Sequence, residues 1–433
     1  MTDALTVVFF PEGAVGPTNN CVGIGTVLAR RGHRVVFVVE ESFAGDLEAK
    51  GFEERLMRLG PPPEEPEAPG QFWKDYIRDT APEFRRSTLE QLEGFIRPTW
   101  QALVDGATYV DERLTEIFDE LGPDVIVQDN VVAFPAVAAS GRPWVRSASC
   151  NPTELRDPLV PPTFSGYPVA DRAGWEEFDA EYRRIHEDLW RGFDDFCRTR
   201  GAGPLDELEF MNTSPWLNLY LFPGPLDYRR QRPLDPTWHR LDAVGRTTAD
   251  PFVVPDALQD GDGALVYFSL GSLGSADVEL MQRVLDVLAS TSHRYIVSLG
   301  PRADELALAD NQWGQEYLPQ PNVLPQVDLV ITHGGNNTNS EVLSLGLPQI
   351  VLPIFWDQHA NAQRIDELEL GARLDTYRFD DADMTSAIER LLGDVGLERR
   401  LAEIAEAIGR EPGAVKGAEL IERLGQTAQP VLT

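Results

Sequence analysis

The sequence predicts an α/β protein whose two halves repeat one architecture. Three observations carry this. The chain opens with an apolar strand, a helix and a second strand, the order of a βαβ unit. A second βα series starts near Ala264 and runs towards the C-terminus. At 433 residues the chain exceeds what one typical core organises. The halves show no obvious repetition of sequence.

In chain order, Thr6 to Phe10 reads as the first strand, followed by a loop from Pro11 to Asn20. A helix from about Cys21 to Arg31 stops at Gly32, and Arg34 to Glu40 is the next strand. Gly60 to Gly70 is rich in Pro and Glu and predicts an exposed loop. Apolar residues recur at helical spacing from Trp73 to Leu121. Short strands follow at Val125 to Val127 and Pro143 to Val145. Gly174 to Phe196 recurs helically through Phe178, Tyr182, Ile185, Leu189 and Phe193. With Trp175, Trp190 and Trp216 nearby, this region is a candidate wall for an apolar pocket, or else a plain helix core. The prolines and arginines of Pro223 to Pro236 read as an interdomain linker, which sets domains of 1–235 and 236–433. In the second half, strands are expected at Leu265 to Phe268, Tyr295 to Ser298 and Asn322 to Leu324. A helix follows from about Asp277, and helices from about Met384 close the chain.

Composition narrows the partners. The formal charge of −32 opposes nucleic acid and anionic membranes, which need a basic patch. No apolar run reaches membrane-span length, and the N-terminus lacks a secretory pattern. Cys21, Cys150 and Cys197 are odd in number and far apart, without zinc or disulfide spacing, which fits a cytoplasmic protein. Monomer and homodimer both remain open.

The most informative run is Leu324 to Ile365. Leu329 to Thr332 is continuously apolar, as in a strand buried on both faces. His333-Gly334-Gly335-Asn336 breaks it, and two adjacent glycines permit a tight turn and close backbone approach. Asn337 to Ser344 then fits a short helix stopped by Gly346 and Pro348, and Gln349 to Pro353 a further strand. A turn entering a helix N-terminus is a ready anion site. His333, Asn337 and Thr338 add donors there, and Glu341 adds an acceptor suited to a ribose hydroxyl pair. Such a site suits a nucleoside diphosphate. Ser269-Leu270-Gly271-Ser272, just after the first strand of the second half, lies at the strand end where α/β sheets bind ligands.

From Tyr317 to Gln358 this pattern closely resembles the donor signature of the family 1 nucleotide-sugar glycosyltransferases. Tyr317-Leu318-Pro319-Gln320 matches the aromatic-x-Pro-Gln segment whose ring stacks on the base. His333-Gly334-Gly335 matches the His-x-Gly step at the diphosphate. Asn337-Thr338 matches the Asn-Ser pair on phosphate. Glu341 falls at the ribose carboxylate, and Asp357-Gln358 at the pair that holds the sugar hydroxyls. The resemblance implies a GT-B architecture: two facing Rossmann-like domains, acceptor in the first, donor in the second, and a last helix near Ala418 to Leu424 crossing back. It implies inverting transfer to a small-molecule acceptor such as a natural product, with neither metal nor cofactor. A UDP-sugar is expected because Glu341 suits a ribose, and glucose by family frequency.

The first loop departs from that family, which places a base there as a His. Here Pro11 to Asn20 has none; the position falls on Val15 counting from the strand, or on Pro17 counting back from Gly32-His33. The partner Asp is retained as Asp129. Candidate bases are Glu12 and Asp129; otherwise the acceptor ionises unaided. A non-catalytic nucleotide-sugar binder or activator would also explain the loss, and a nucleotide-sugar isomerase shares the architecture. Other motifs read blandly: Asp380-Asp381-Ala382-Asp383 as a helix cap, Asp260-Gly261-Asp262-Gly263 as a turn, His33 as a surface turn residue, His186 and His239 as structural, and His359 as facing the sugar or merely exposed.

Overall fold

A computed structural model describes residues 4–62, 76, 78–245, 248, 250–259 and 261–433. Residues 73–75 and 77 of the expected helical span, most of the acidic proline-rich loop, and Asp260 lie outside the described residues.

The first half begins with β1 (Thr6–Pro11), α1 (Val15–Arg30), β2 (Arg34–Glu40) and β3 (Glu53–Met57). Then come α2 (Arg97–Leu121), β4 (Val125–Asp129), β5 (Trp144–Ala148), α3 (Trp175–Thr199), β6 (Leu217–Leu221) and β7 (Trp238–Leu241). All seven strands are parallel, in the order β3-β2-β1-β4-β5-β6-β7. β4, β5 and β6 are buried along their whole length, as expected of strands covered by helices on both faces.

The second half contains β8 (Leu265–Ser269), α4 (Val278–Ala289), β9 (Arg294–Ser298), β10 (Gln312–Gln315), β11 (Leu329–Thr332), α5 (Asn336–Ser344), β12 (Gln349–Val351), α6 (Gln358–Glu367) and β13 (Gly371–Arg373). Its parallel sheet runs β10-β9-β8-β11-β12-β13. Helices α7 (Asp381–Gly393), α8 (Val395–Gly409) and α9 (Gly413–Thr427) complete it. Strand order turns back at β1/β4 in the first sheet and at β8/β11 in the second. Crevices open at the carboxyl ends of strands at such switch points.

α9 packs against α1 and the first sheet, not the second. Ala418, Ile421 and Leu424 are buried with Leu5, Cys21, Ile24, Leu217 and Leu241. His33, expected at the surface, is buried here: its Nδ1 accepts from Leu5 N (3.1 Å) and its Nε2 meets Glu422 (2.8 Å). It ties α9 to the start of β1.

Several expectations need correction. α1 starts at Val15, about six residues before the expected Cys21, so most of the predicted loop is helix. Pro17 is tolerated because the first-turn N–H groups have no intrahelical acceptor. Asn322 to Leu324 is helical, inside Gln320–Val323 and Leu324–Gln326; a three-residue apolar run cannot reveal its period. β7 pairs in register with β6, so the first sheet extends past residue 235, where the sequence placed the boundary. The acidic run before α7 caps it, Asp380 N donating to Asp383 Oδ2 at 2.8 Å.

Candidate active site

The donor side is built at the ends of β8 and β11. The half-buried His333 ring lies between Gly271 and Gly335. A Cβ at either would come within 2.8 or 2.7 Å of the imidazole, and Gly271 has φ +72° besides. Only glycine fits at Gly271 without moving the ring. Burial pushes the His333 pKa down to about 4, against a hydrogen bond with the Ser269 backbone, so the ring is neutral and offers one N–H. Ser269 Oγ accepts from Gly271 N (3.3 Å), fixing the loop into the short turn Gly271–Gly274 that contains Ser272. Gly335, the N-cap of α5, supplies no side-chain acceptor, which leaves the first helical amides for an anion.

At the outer end of this site Gln320 Nε2 donates to Glu341 Oε2 at 2.7 Å and meets Thr338 Oγ1 at 3.4 Å. Leu318 is buried, whereas Tyr317 is 72% exposed. Gln320, Thr338 and Glu341, apart in sequence, thus form one group.

Other expected donor residues serve the closure between the halves. Asn336 Nδ2 donates to Ser149 O (2.9 Å) and Leu221 O (2.7 Å). Asn337 Nδ2 donates to Gly16 O (2.9 Å), and its Oδ1 accepts from Asn20 (2.9 Å). Both amides therefore reach the first half, where phosphate contact was expected of Asn337. The Gly334 carbonyl accepts from Asn339 (3.1 Å) and Asn361 (2.9 Å). Asp357 Oδ2 accepts from Asn151 N (2.9 Å), and burial lifts its pKa to about 6. Gln358 Oε1 accepts from Ile354 N and Phe355 N (3.0 and 3.2 Å), holding the turn. Asp357 and Gln358 both line the cavity, as expected. His359 does not line it; the residue is buried, its Cβ and backbone carbonyl against Gly166, and burial drives its pKa down to about 3.

Between the sheets lies a cavity of about 490 Å³. His333, Asn337, Asp357 and Gln358 line one side, Glu12, Pro17 and Ser149 another. Its apolar wall is Phe95, Leu103, Leu273, Phe355 and Trp356, with Tyr76 and Phe43. Trp175, Trp190 and Trp216 of the expected pocket take no part, and Tyr182 lines only a smaller neighbouring pocket. The aromatic face of α3 is occupied in packing on α2, Tyr182 and Phe193 lying in one core with Trp100 and Phe210.

The two candidate bases differ in position. Glu12 lines the cavity; it is 8% exposed, its Oε2 takes Val131 N at 3.4 Å, and burial raises its pKa. Glu40 stands beside it, and burial together with the Glu12 charge lifts Glu40 to about 7. Asp129 lies behind the cavity wall. Its Oδ2 accepts from Ser149 Oγ (2.6 Å), which accepts from Asn20 Nδ2 (2.8 Å). Burial raises Asp129 to about 7, against the hydroxyls of Ser149 and Ser147. Asp129 thus reaches the cavity only through Ser149. The sequence reading missed Ser149, Asn20, Glu40 and Trp356; for Ser149, its place just past a parallel strand was the available signal.

The arrangement is one of a neutral anion site facing an acid-lined apolar cavity across two Rossmann-like sheets. The family model for the C-terminal domain of erythromycin biosynthesis protein CIII-like proteins matches residues 282–424. The zeaxanthin glucosyltransferase of Pantoea ananas is 24% identical over 332 residues, 74% of this chain and 76% of that one. The demethyllactenocin mycarosyltransferase of Streptomyces fradiae is 24% identical over 429 residues, 96% and 86%. The chain is a glycosyltransferase similar to the family 1 nucleotide-sugar glycosyltransferases. Solved structures agree on the GT-B fold of this glycosyltransferase. That of the kitacinnamycin glycosyltransferase gives a TM-score of 0.69 at 21% identity over 98% of this chain and 99% of its own. That of VinC in complex with dTDP gives 0.66 at 16% over 98% and 100%. The enzyme transfers a sugar from a nucleoside diphosphate to a small-molecule acceptor. Among its described residues no helix is long and apolar enough to cross a membrane.

Proposed function

We propose that this glycosyltransferase moves a hexose, glucose first among candidates, from UDP to a hydroxyl on an apolar, ring-containing acceptor. Transfer inverts the anomeric centre and uses no metal. Glu12 is the base. The observation that carries this reading is that Glu12 and the donor-side residues His333, Asp357 and Gln358 line one cavity, whereas Asp129 stands behind Ser149. The acceptor hydroxyl gives its proton to the Glu12 carboxylate as its oxygen attacks the anomeric carbon. The bond to the diphosphate breaks on the opposite face, and the leaving charge meets the His333 N–H and the α5 amides. Asp129 orients Ser149 and, through Asn20, the closed position of Asn337. Asp357 and Gln358 Nε2 face the sugar.

Glu341, paired with Gln320, supports a ribose with both hydroxyls and hence UDP. A deoxyribose donor is the specific rival, since VinC was solved with dTDP and the spinosyn rhamnosyltransferase SpnG with thymidine diphosphate. Product formation followed by mass spectrometry, with UDP- and dTDP-glucose against polycyclic phenols and alcohols, tests the reading. Sugar adducts from UDP-glucose are expected, undiminished by EDTA. Turnover with dTDP-sugars alone, or loss in EDTA restored by magnesium, overturns the donor or the metal-free part.

A further inference from the structure

The acceptor cavity carries charge of one sign. Glu12, Asp46 and Asp357 line it, and its described lining residues include no Lys or Arg. His333 in the same lining is neutral, since burial holds its pKa near about 4. The acids gather at one end. Glu12 follows β1; Glu40 closes β2, the strand paired beside it, and Asp46 comes soon after. Glu40 stands against Gly13 of the lining, where a Cβ would come within 2.6 Å of its Oε2. Its half-buried carboxylate makes no hydrogen bond or ion pair among the described residues, and the charge that acts on it is that of Glu12.

Elsewhere arginine answers such acids: Arg58 pairs with Glu41 at 2.6 Å and Arg34 with Glu53 at 2.8 Å. Among the described residues no such partner serves Glu12, Glu40 or Asp46. Lys50 gives its Nζ to the Asp46 carbonyl at 3.1 Å and does not line the cavity. Like charges held together away from water are costly, and an opposite charge offsets that cost. Aromatic rings line the same space. Phe43 shares its turn with Asp46, whose N donates to Phe43 O at 2.9 Å. Further along the wall, Phe95 packs edge-on to Phe355 and Trp356, with centroids 5.5 and 6.5 Å apart. Aromatic rings together with carboxylates are the surroundings that a desolvated ammonium prefers.

We infer that the acceptor is a cation: an apolar, ring-containing molecule with an ammonium group, its ring system on Phe95, Phe355 and Trp356 and its ammonium among Glu12, Glu40 and Asp46. The inference rests on the acceptor reading of this cavity and names the class of acceptor. Asp357, whose Oδ2 is held by Asn151 N, is left to the sugar. A neutral analogue leaves the acids uncompensated, and an anion is repelled. The net charge of −32 works in the same direction during encounter. Inside the cavity the ammonium favours the ionised form of both glutamates, the form in which Glu12 takes the hydroxyl proton.

Calorimetry on the full chain without donor tests this with three probes: 6-(trimethylammoniomethyl)-2-naphthol, its uncharged isostere 6-neopentyl-2-naphthol, and 6-(sulfonatomethyl)-2-naphthol. The ammonium naphthol is expected to bind at least about tenfold more tightly than the neopentyl one, with the sulfonate weakest and the preference shrinking as sodium chloride is raised. Asp46→Asn, at an exposed position, and Glu40→Gln should each reduce the preference and leave affinity for the neopentyl naphthol as it was. Equal binding of the ammonium and neopentyl naphthols, tightest binding of the sulfonate, or a preference untouched in both variants overturns the cationic acceptor. Incubating the same naphthols with UDP-glucose, followed by mass spectrometry, keeps this apart from the function it rests on. Sugar adducts formed equally from all three leave the acceptor cavity standing and remove its charge selectivity. No binding and no adduct from any of them removes both.

Discussion

Glu12 and Glu40 show how two carboxylates become useful by being placed together. Each resists ionisation because it is buried, and the Glu12 charge raises the proton affinity of Glu40 further. A base must be ionised to accept a proton, so kcat/KM should rise with pH along a limb that lies above the ordinary carboxylate range. Glu40→Gln should leave that limb where it is, because Glu40 ionises after Glu12 and is neutral while Glu12 titrates, as a pH–rate profile would show. Glu12→Gln should lower kcat by at least about 10²-fold with UDP affinity unchanged. Full activity in Glu12→Gln, with rates following the acceptor's own pKa, would remove the base from the mechanism. Asp129 makes a separate prediction about stability. Its folded pKa of about 7 lies above the ordinary 3.8, so the folded state holds a proton that the unfolded state releases. That stabilisation is complete below about pH 4 and is lost as pH rises through 7. Asp129→Asn should therefore gain stability relative to wild type between pH 4 and 7, by up to about 4 kcal/mol, read from urea melts at each pH.

At the level of elements, the strand–turn–helix from β11 to α5 is the unit proposed to carry the donor. Its apolar strand is buried, its turn brings His333 between two glycines, and its helix presents both free amides and Glu341. Gly271→Ala should push the imidazole out of place through a Cβ 2.8 Å from Cε1, and weaken the diphosphate contact. Glu341→Ala should weaken UDP by roughly 1.5–3 kcal/mol if a charge-assisted hydrogen bond to the ribose is lost. Calorimetry on both variants checks these outcomes; unchanged UDP affinity in Glu341→Ala would take that residue out of the site. A second result from the same titration matters: dTDP affinity should fall less, because a deoxyribose offers one hydroxyl fewer.

Across the whole molecule, two of the devices that join the halves stand out. α9 leaves the second half and completes the core of the first, with His33–Glu422 and Arg31–Glu422 contacts at its surface. The other device is the set of amides crossing the cleft. Asn336 alone serves two carbonyls of the first half. Asn336→Ala leaves those acceptors unpaired and should cost roughly 1–3 kcal/mol of stability. It should also lower kcat more than donor affinity, since donor residues remain intact while the acceptor side loosens. Thermal unfolding and steady-state kinetics measure the two effects, and an unaltered kcat would show that the clasp has no part in turnover.

The strand–turn–helix that holds the proposed donor residues was legible in the sequence because those residues lie close along the chain. Tyr317 to Gln358 spans little more than one strand–turn–helix unit and its neighbours, and local turn chemistry puts those groups together without help from the rest of the fold. The two α/β halves were legible for a similar reason: alternating strand and helix patterns are local signals. Strands with polar or short sequences, such as β3 and β13, were not, because their pairing is set by the neighbouring strand and not by their own pattern. The acceptor side belonged to the tertiary structure. Glu12 meets Asp357 across the cavity, and Asn20 meets Asn337, only when two sheets more than a hundred residues apart in sequence face each other. The same closure engaged Asn337 in bonds to Asn20 and Gly16, put Asp129 behind Ser149, and held Trp356 in a left-handed backbone. Burial in that closed cleft raises the carboxylate pKa values, and burial is a property of the packed molecule that no single segment of sequence carries.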